Sequence, residues 1–256
     1  MFVRFLLDII FGLLYNLSME KIIIAIGGGE LREKQTLEID GQIASIVKSK
    51  CEGRRPVALF VGTASHDSMP YYNSFHKMYT GVYGFKTDCA LTVYGEMNAE
   101  KIAEKFKKAD MIYVGGGDTL FMLDSWEKSG IKKHILEAYE RGVVICGLSA
   151  GAICWFEEMF TDSAGDDYNF KSSLGILKGG ACPHFNHRKT DFESKIGDAL
   201  KSEYICMDDL SAVMFVNGVL KCASLSTGNS YIANVKNCEI EYKIIPKSDF
   251  SQSARG

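Results

Sequence analysis

Apolar residues along the chain fall into two alternating patterns. Short unbroken runs at Ile22–Ile26, Val57–Val61, Met111–Val114 and Val143–Cys146 read as strands buried on both faces. Between them the apolar residues take helical spacing. Thr36–Lys50 sets Ile39, Ile43, Ile46 and Val47 on one face, and Tyr72, Phe75, Tyr79 and Tyr83 mark an aromatic-faced helix. A third strand is expected at about Cys89–Tyr94, with helices over Ala99–Lys108, Leu120–Ser129 and Ile131–Arg141. Strands separated in this way by helices require right-handed crossovers. The fold class is therefore α/β, a mostly parallel sheet with helices on both faces.

Beyond Ala152 the rhythm changes. Phe160–Ser173 is polar and rich in Asp and Ser, which reads as a loop, and Thr190–Ser202 carries Phe192, Ile196, Ala199 and Leu200 at helical spacing. Glu157 and Glu158 read as solvated helix residues. Ala212–Val216, Asn217-Gly218 and Val219–Cys222 form a strong hairpin signal, with further strands at Tyr231–Val235 and Ile240–Ile245. This gives the sheet a C-terminal antiparallel hairpin extension. No linker interrupts residues 19–256, which are expected to form a single α/β domain. Residues 1–18 are very apolar, but the stretch is too short and too interrupted, by Asp8 among others, to span a bilayer. They are expected outside the fold, an interfacial anchor helix being the other reading.

Composition narrows the partners. The chain has 256 residues, 46% hydrophobic and 24% charged, with a formal charge of -3. That balance leaves no basic footprint for nucleic acid and points to a small-molecule partner. Eight cysteines without a C-x-x-C pair suit reduced thiols in the cytoplasm.

Gly147-Leu148-Ser149-Ala150-Gly151 has the Gly-x-Ser-x-Gly spacing of a nucleophile elbow directly after an apolar run. Small residues on either side let the turn close and lift the Ser149 hydroxyl clear of the sheet. The Ala150 amide then faces the oxyanion of an attacked carbonyl. Gly27–Gly29 and Gly115–Gly117 also follow strands and converge on the same rim. Neither has the G-x-G-x-x-G or G-x-x-x-x-G-K-[ST] pattern of a phosphate loop, and Gly116 or Gly117 is read as a second oxyanion donor.

A serine nucleophile needs a base, itself oriented by a third group. Of His66, His76, His134, His184 and His187, His184 is the best base, following Pro183 in a short turn with Phe185 beside it. His184-x-x-His187 lacks a recognisable third metal ligand, so no metal is expected. Asp162, after the elbow helix, and Asp209, in Met207-Asp208-Asp209-Leu210, are both candidates for the orienting acid, and spacing leaves the choice open.

Val114-Gly-Gly-Gly-Asp-Thr119, Gly147-Leu-Ser-Ala-Gly-Ala152 and Pro183-His184-Phe185 together resemble the aspartyl dipeptidase (peptidase E) and cyanophycinase family of serine peptidases, over about Glu20 to Ile245. The resemblance implies a glutamine-amidotransferase-like, flavodoxin-like three-layer sandwich. It also implies Ser149 as nucleophile, His184 as base, Ala150 with Gly116 or Gly117 as oxyanion donors, Asp162 or Asp209 as third residue, and no cofactor. Asp-specific members of that family carry an arginine near the start of the helix after the histidine. Here the stretch reads Arg188-Lys189-Thr190-Asp191-Phe192, which makes Arg188 the substitute carboxylate grip.

The expected protein is a cytoplasmic serine peptidase cleaving short peptides in the manner of a dipeptidase or exopeptidase, through an acyl-enzyme on Ser149. A homodimer is compatible with it. Two alternatives stand beside it. One is an α/β-hydrolase-type esterase or amidase, whose histidine normally follows the last strands. The other is a small-ligand-binding relative without turnover.

Overall fold

The first strand, β1 (Ile22–Ile26), is buried along its whole length, and its side chains divide by the two-residue period of a strand. Ile22, Ile24 and Ile26 enter one hydrophobic cluster, and Ile23 and Ala25 enter another on the opposite face. Every later layer is built on one of these two faces.

The computed structural model describes residues 20–253 except 96, 164 and 166, so the apolar segment 1–18 lies outside the described residues. β1 sits within a seven-stranded sheet of order β11-β10-β1-β5-β4-β2-β3. Its members are β2 (Val57–Val61), β3 (Lys86–Ala90), β4 (Met111–Val114), β5 (Val144–Leu148), β10 (Ala212–Val216) and β11 (Val219–Ala223). The first five strands run parallel, whereas β10 pairs antiparallel with β1, with Ile26 opposite Ala212. An antiparallel strand begins where its parallel neighbours end. The residues just before β10 therefore join the carboxyl rim of the sheet, where sites gather in open α/β folds.

One face is covered by α1 (Leu37–Lys50), by α2 (Met69–His76), which runs on into a π-type turn at Lys77–Val82, and by the short α8 (Phe250–Ser253). Against the other pack α3 (Ala99–Lys108), α4 (Thr119–Ser129) and α5 (Ile131–Glu140), together with a second sheet. After the short α6 (Ala150–Ile153), this six-stranded sheet takes the order β13-β12-β9-β8-β6-β7. It comprises β6 (Phe156–Thr161), β7 (Asn169–Ser172), β8 (Leu177–Cys182), β9 (Glu203–Met207), β12 (Ser230–Lys236) and β13 (Glu239–Ile244). Its outer face buries Phe160, Tyr204, Phe185 and Phe192 in edge-on and tilted ring contacts, the last two from α7 (Phe185–Ser194).

The α/β class and the hairpin hold, and the second sheet corrects several local expectations. The stretch expected as a loop at Phe160–Ser173 contains the end of β6 and all of β7. β7 is an edge strand, paired only with β6 and partly exposed, so its pattern is polar. The third strand is Lys86–Ala90 rather than Cys89–Tyr94, again an edge strand that tolerates Lys86, Thr87 and Asp88. The helix expected over Thr190–Ser202 begins earlier and stops at Ser194. A 3₁₀ turn at Ile196–Asp198 follows it and Leu200 is exposed. Glu158 draws the chain away there: it lies buried in β6, accepts the Leu200 amide at 3.1 Å and takes the Tyr204 hydroxyl. Glu157, also in β6, accepts the Gly179 amide at 2.9 Å, so neither glutamate is a solvated helix residue.

A second buried acid makes stability depend on pH. Asp40 of α1 is fully buried and accepts hydrogen bonds from Thr36 Oγ1 at 2.7 Å and Tyr79 Oη at 2.8 Å. Burial outweighs both bonds and raises its pKa from 3.8 to about 6. The folded state thus holds this proton more tightly than the unfolded chain. The associated stability is complete below the unfolded pKa and is lost as pH rises through about 6. In urea titrations, wild type should lose about 2 kcal/mol relative to Asp40→Asn between about pH 4 and about pH 7. A difference that does not change with pH would contradict this assignment.

Candidate active site

Three consecutive carbonyls at the end of β1 collect the loops that carry the candidate residues. Ser149 N–H donates to the Ile26 carbonyl at 3.0 Å, His184 N–H to Gly27 at 3.0 Å, and Leu210 N–H to Gly28 at 3.1 Å. Gly27 N–H in turn donates to the Ser211 carbonyl at 2.9 Å. Gly27 and Gly28, part of the Gly-rich rim read from sequence, are therefore bare for their own neighbours. A methyl group on Gly28 would overlap Asp209 Oδ1 and the His184 ring.

Ser149 stands at the turn between β5 and α6 with φ 53° and ψ −108°, the strained conformation of a nucleophile elbow. The turn closes because Gly147 and Gly151 pack against each other and against Val114, where a Cβ at Gly151 would overlap the Val114 carbonyl. Ser149 Oγ is 2.8 Å from His184 Nε2.

His184 lies in the left-handed region, φ 51°, and caps the start of α7, whose first amides at His187 and Arg188 donate to its carbonyl. Its Nδ1 is 2.5 Å from Asp209 Oδ1. A carboxylate can only accept, so Nδ1 carries the proton and leaves Nε2 to accept from the serine hydroxyl. Asp209 is itself fixed from α7. Its amide donates to Asn186 Oδ1 at 2.9 Å, Asn186 Nδ2 reaches Oδ2 at 3.4 Å, and His187 Nε2 lies 3.0 Å from the same oxygen. One helical turn thus supplies both the imidazole and the clamp on its acid.

The structure separates the two acids that sequence left open. Asp162, just after β6, is half-exposed and sits 3.7 Å from Arg188, not beside His184. Arg188 is buried with its guanidinium over the Tyr168 ring at 4.7 Å. It lies outside the walls of the cavity in front of Ser149, so it does not occupy the place expected of a substrate grip. That cavity, about 640 Å³, is lined by Glu30, Arg32 and Gln35 from the loop after β1, by Tyr71, by Gly116 and Gly117, and by Ser149, His184 and Asp209. Ala150 N–H, first amide of α6, has no protein acceptor among the described residues. Gly116 N–H donates to Tyr71 Oη at 3.2 Å. No cluster of metal-ligating residues occurs among the described residues. His66 packs on Phe121, His76 bonds Thr87 and His134 stacks on Phe106, all apart from Ser149.

Sequence reading missed Asn186 and His187 as partners of the acid, although their place in the turn after His184 was visible. It also missed Tyr71, which lies next to the aromatic face read at Tyr72, Phe75, Tyr79 and Tyr83 but was not itself singled out.

With this geometry in place, comparison with known proteins is informative. A profile for Peptidase family S51 matches residues 23–221. The uncharacterized peptidase YgaJ of Bacillus subtilis is 35% identical over 236 residues, covering 89% of this chain and 97% of its own. Peptidase E of Streptomyces coelicolor is 29% identical over a shorter stretch, 32% of this chain and 35% of its own. Among solved structures, a peptidase from an acI-B1 Actinobacterium superposes with TM-score 0.64 at 18% identity, over 88% of this chain and 94% of that one. A putative peptidase E from Listeria monocytogenes gives 0.57 at 16% identity, over 82% and 98%. At these identities the two structures speak for the fold alone. The extent of the profile match and the length of the Bacillus alignment make the chain a member of peptidase family S51, a serine-type peptidase.

Proposed function

We propose that the protein hydrolyses short peptides, as a dipeptidase or exopeptidase, through an acyl-enzyme on Ser149. The observation that carries this reading is the unbroken hydrogen-bonded chain from Ser149 Oγ through His184 to Asp209. In the first half-reaction Ser149 Oγ bonds to the scissile carbonyl carbon as His184 Nε2 takes its proton. Asp209 holds the ring in the productive tautomer and stabilises the imidazolium. His184 then returns the proton to the leaving amine and the C–N bond breaks. Water, deprotonated by the same nitrogen, releases the acid and regenerates the serine. The oxyanion faces Ala150 N–H and the Gly116–Gly117 loop.

Support for short substrates comes from the cavity walls, which carry a carboxylate on Glu30 and a guanidinium on Arg32. A dipeptide is a zwitterion, and one charge of each sign beside the nucleophile suits its two ends. Asp162, tied to Arg188, is assigned no part in the chemistry. The eight cysteines are all free, which supports placing the protein in the reducing cytoplasm. The described residues are read as one peptidase domain needing neither metal nor organic cofactor.

A panel of dipeptides and tripeptides, with Asp-X and β-aspartyl members, tests the reading. Wild type should cleave at least one member and Ser149→Ala none. Cleavage that survives loss of the serine, or no cleavage at all, would refute it. The choice between acids is tested separately by steady-state kinetics. Asp209→Asn should lower kcat by about 10⁴-fold by favouring the wrong tautomer, while Asp162→Asn should stay within about threefold of wild type. The reverse order would move the third catalytic role to Asp162.

A further inference from the structure

Tyr71 lies in the first turn of α2, its ring edge-on to Phe60 with centroids 5.1 Å apart. It reaches over the end of β4 into the cavity that holds Ser149. The two amides at that strand end are used differently. Gly115 N–H continues the sheet, donating to the Val61 carbonyl at 3.0 Å. Gly116 N–H leaves the sheet and donates to Tyr71 Oη at 3.2 Å. Gly116 abuts the nucleophile, since a Cβ there would stand 3.3 Å from Ser149 Cβ. One of the two amides that sequence offers to the oxyanion, that of Gly116, is therefore occupied by a phenol oxygen.

A hydroxyl that accepts one hydrogen bond still has its own proton to donate. Among the described residues no acceptor takes the Tyr71 proton, and both Tyr71 and Gly116 line the cavity. We infer that Tyr71 is a catalytic residue of the Ser149 reaction, its phenol O–H donating to the oxyanion while Gly116 N–H donates to the phenol oxygen from behind. The inference rests on the acyl-enzyme reading above. An N–H···O–H···O⁻ chain polarises in one direction, so the backbone amide strengthens the donor that meets the charge. The proton stays on Tyr71 throughout, and no bond to it breaks. Burial pushes the phenol up to about 12, which keeps it a neutral donor at neutral and mildly alkaline pH.

The opposite arrangement, in which Tyr71 merely obstructs the Gly116 amide, makes the opposite forecast. Removing the hydroxyl would then expose a donor and speed the reaction. Tyr71→Phe keeps the ring and its contact with Phe60, and its thermal midpoint serves as the check on folding. The first readout is the rate at which a fluorophosphonate labels Ser149, because phosphonylation builds an oxyanion without requiring the natural substrate. Tyr71→Phe should slow labelling by about tenfold or more, and kcat on the preferred peptide by a similar factor with KM within about threefold. The ratio should hold between about pH 6 and about pH 9. A peptidyl aldehyde, which forms a hemiacetal oxyanion on Ser149, should lose the same factor in affinity, whereas the matching alcohol should not. Labelling that is unchanged or faster in Tyr71→Phe overturns the inference and leaves the Ser149 mechanism standing. A wild type that is not labelled at Ser149 overturns both.

Discussion

Backbone hydrogen bonding at the end of β1 is the constraint on which the site depends. Ile26, Gly27 and Gly28 offer three successive carbonyls, and these receive the chain segments bearing Ser149, His184 and Asp209. The segments come from β5, from the second sheet and from the antiparallel return of β10, so nothing local holds them together. Backbone donors and acceptors near a buried strand end must be satisfied, and satisfying these fixes the three loops against one another. Gly28 carries no side chain where His184 and Asp209 meet. The close contacts from serine to imidazole to carboxylate follow from that approach.

The same logic explains which parts of the site were legible in the sequence. β1, β2, β4 and α3 fall where their periodicity places them, because unbroken apolar runs and a strongly amphipathic helix leave little choice. The approach of His184 to Ser149 was legible because the glycine spacing marked a turn and a serine there called for a base. The carboxylate beside His184 was not. Asp162 and Asp209 have similar local context, and only the pairing of Ile26 with Ala212 brings residue 209 to the rim where β5 ends. Long-range register of this kind leaves no mark within a sequence window. The second sheet was hidden for a related reason: its edge strand β7 is polar, and Glu158 in β6 looks like a surface residue until Tyr204 and the Leu200 amide are brought to it.

Arg188 shows how a group singled out by residue type can find a partner within its own chain. Its guanidinium does meet a carboxylate, but the partner is Asp162 of the same chain, and Tyr168 stacks beneath it. Asp162 and Arg188, both candidates from sequence for the site around Ser149, thus pair with each other. This tie joins α7, which begins just after His184, to the segment after β6, whose Ser163 accepts the first amide of α4. Glu30 and Arg32, from the loop that follows the β1 carbonyls, line the cavity instead. Glu30 and Arg32 thus follow closely in sequence the three carbonyls that hold the loops together.

The most direct test of the central claim, that Ser149 is activated by His184, is to locate the covalent adduct formed by a fluorophosphonate in wild type and in His184→Ala. The account expects one adduct per chain on Ser149 in wild type, found by intact mass and peptide mapping, and none on the same timescale in His184→Ala. An adduct on another residue, or undiminished labelling of Ser149 without the histidine, would contradict it.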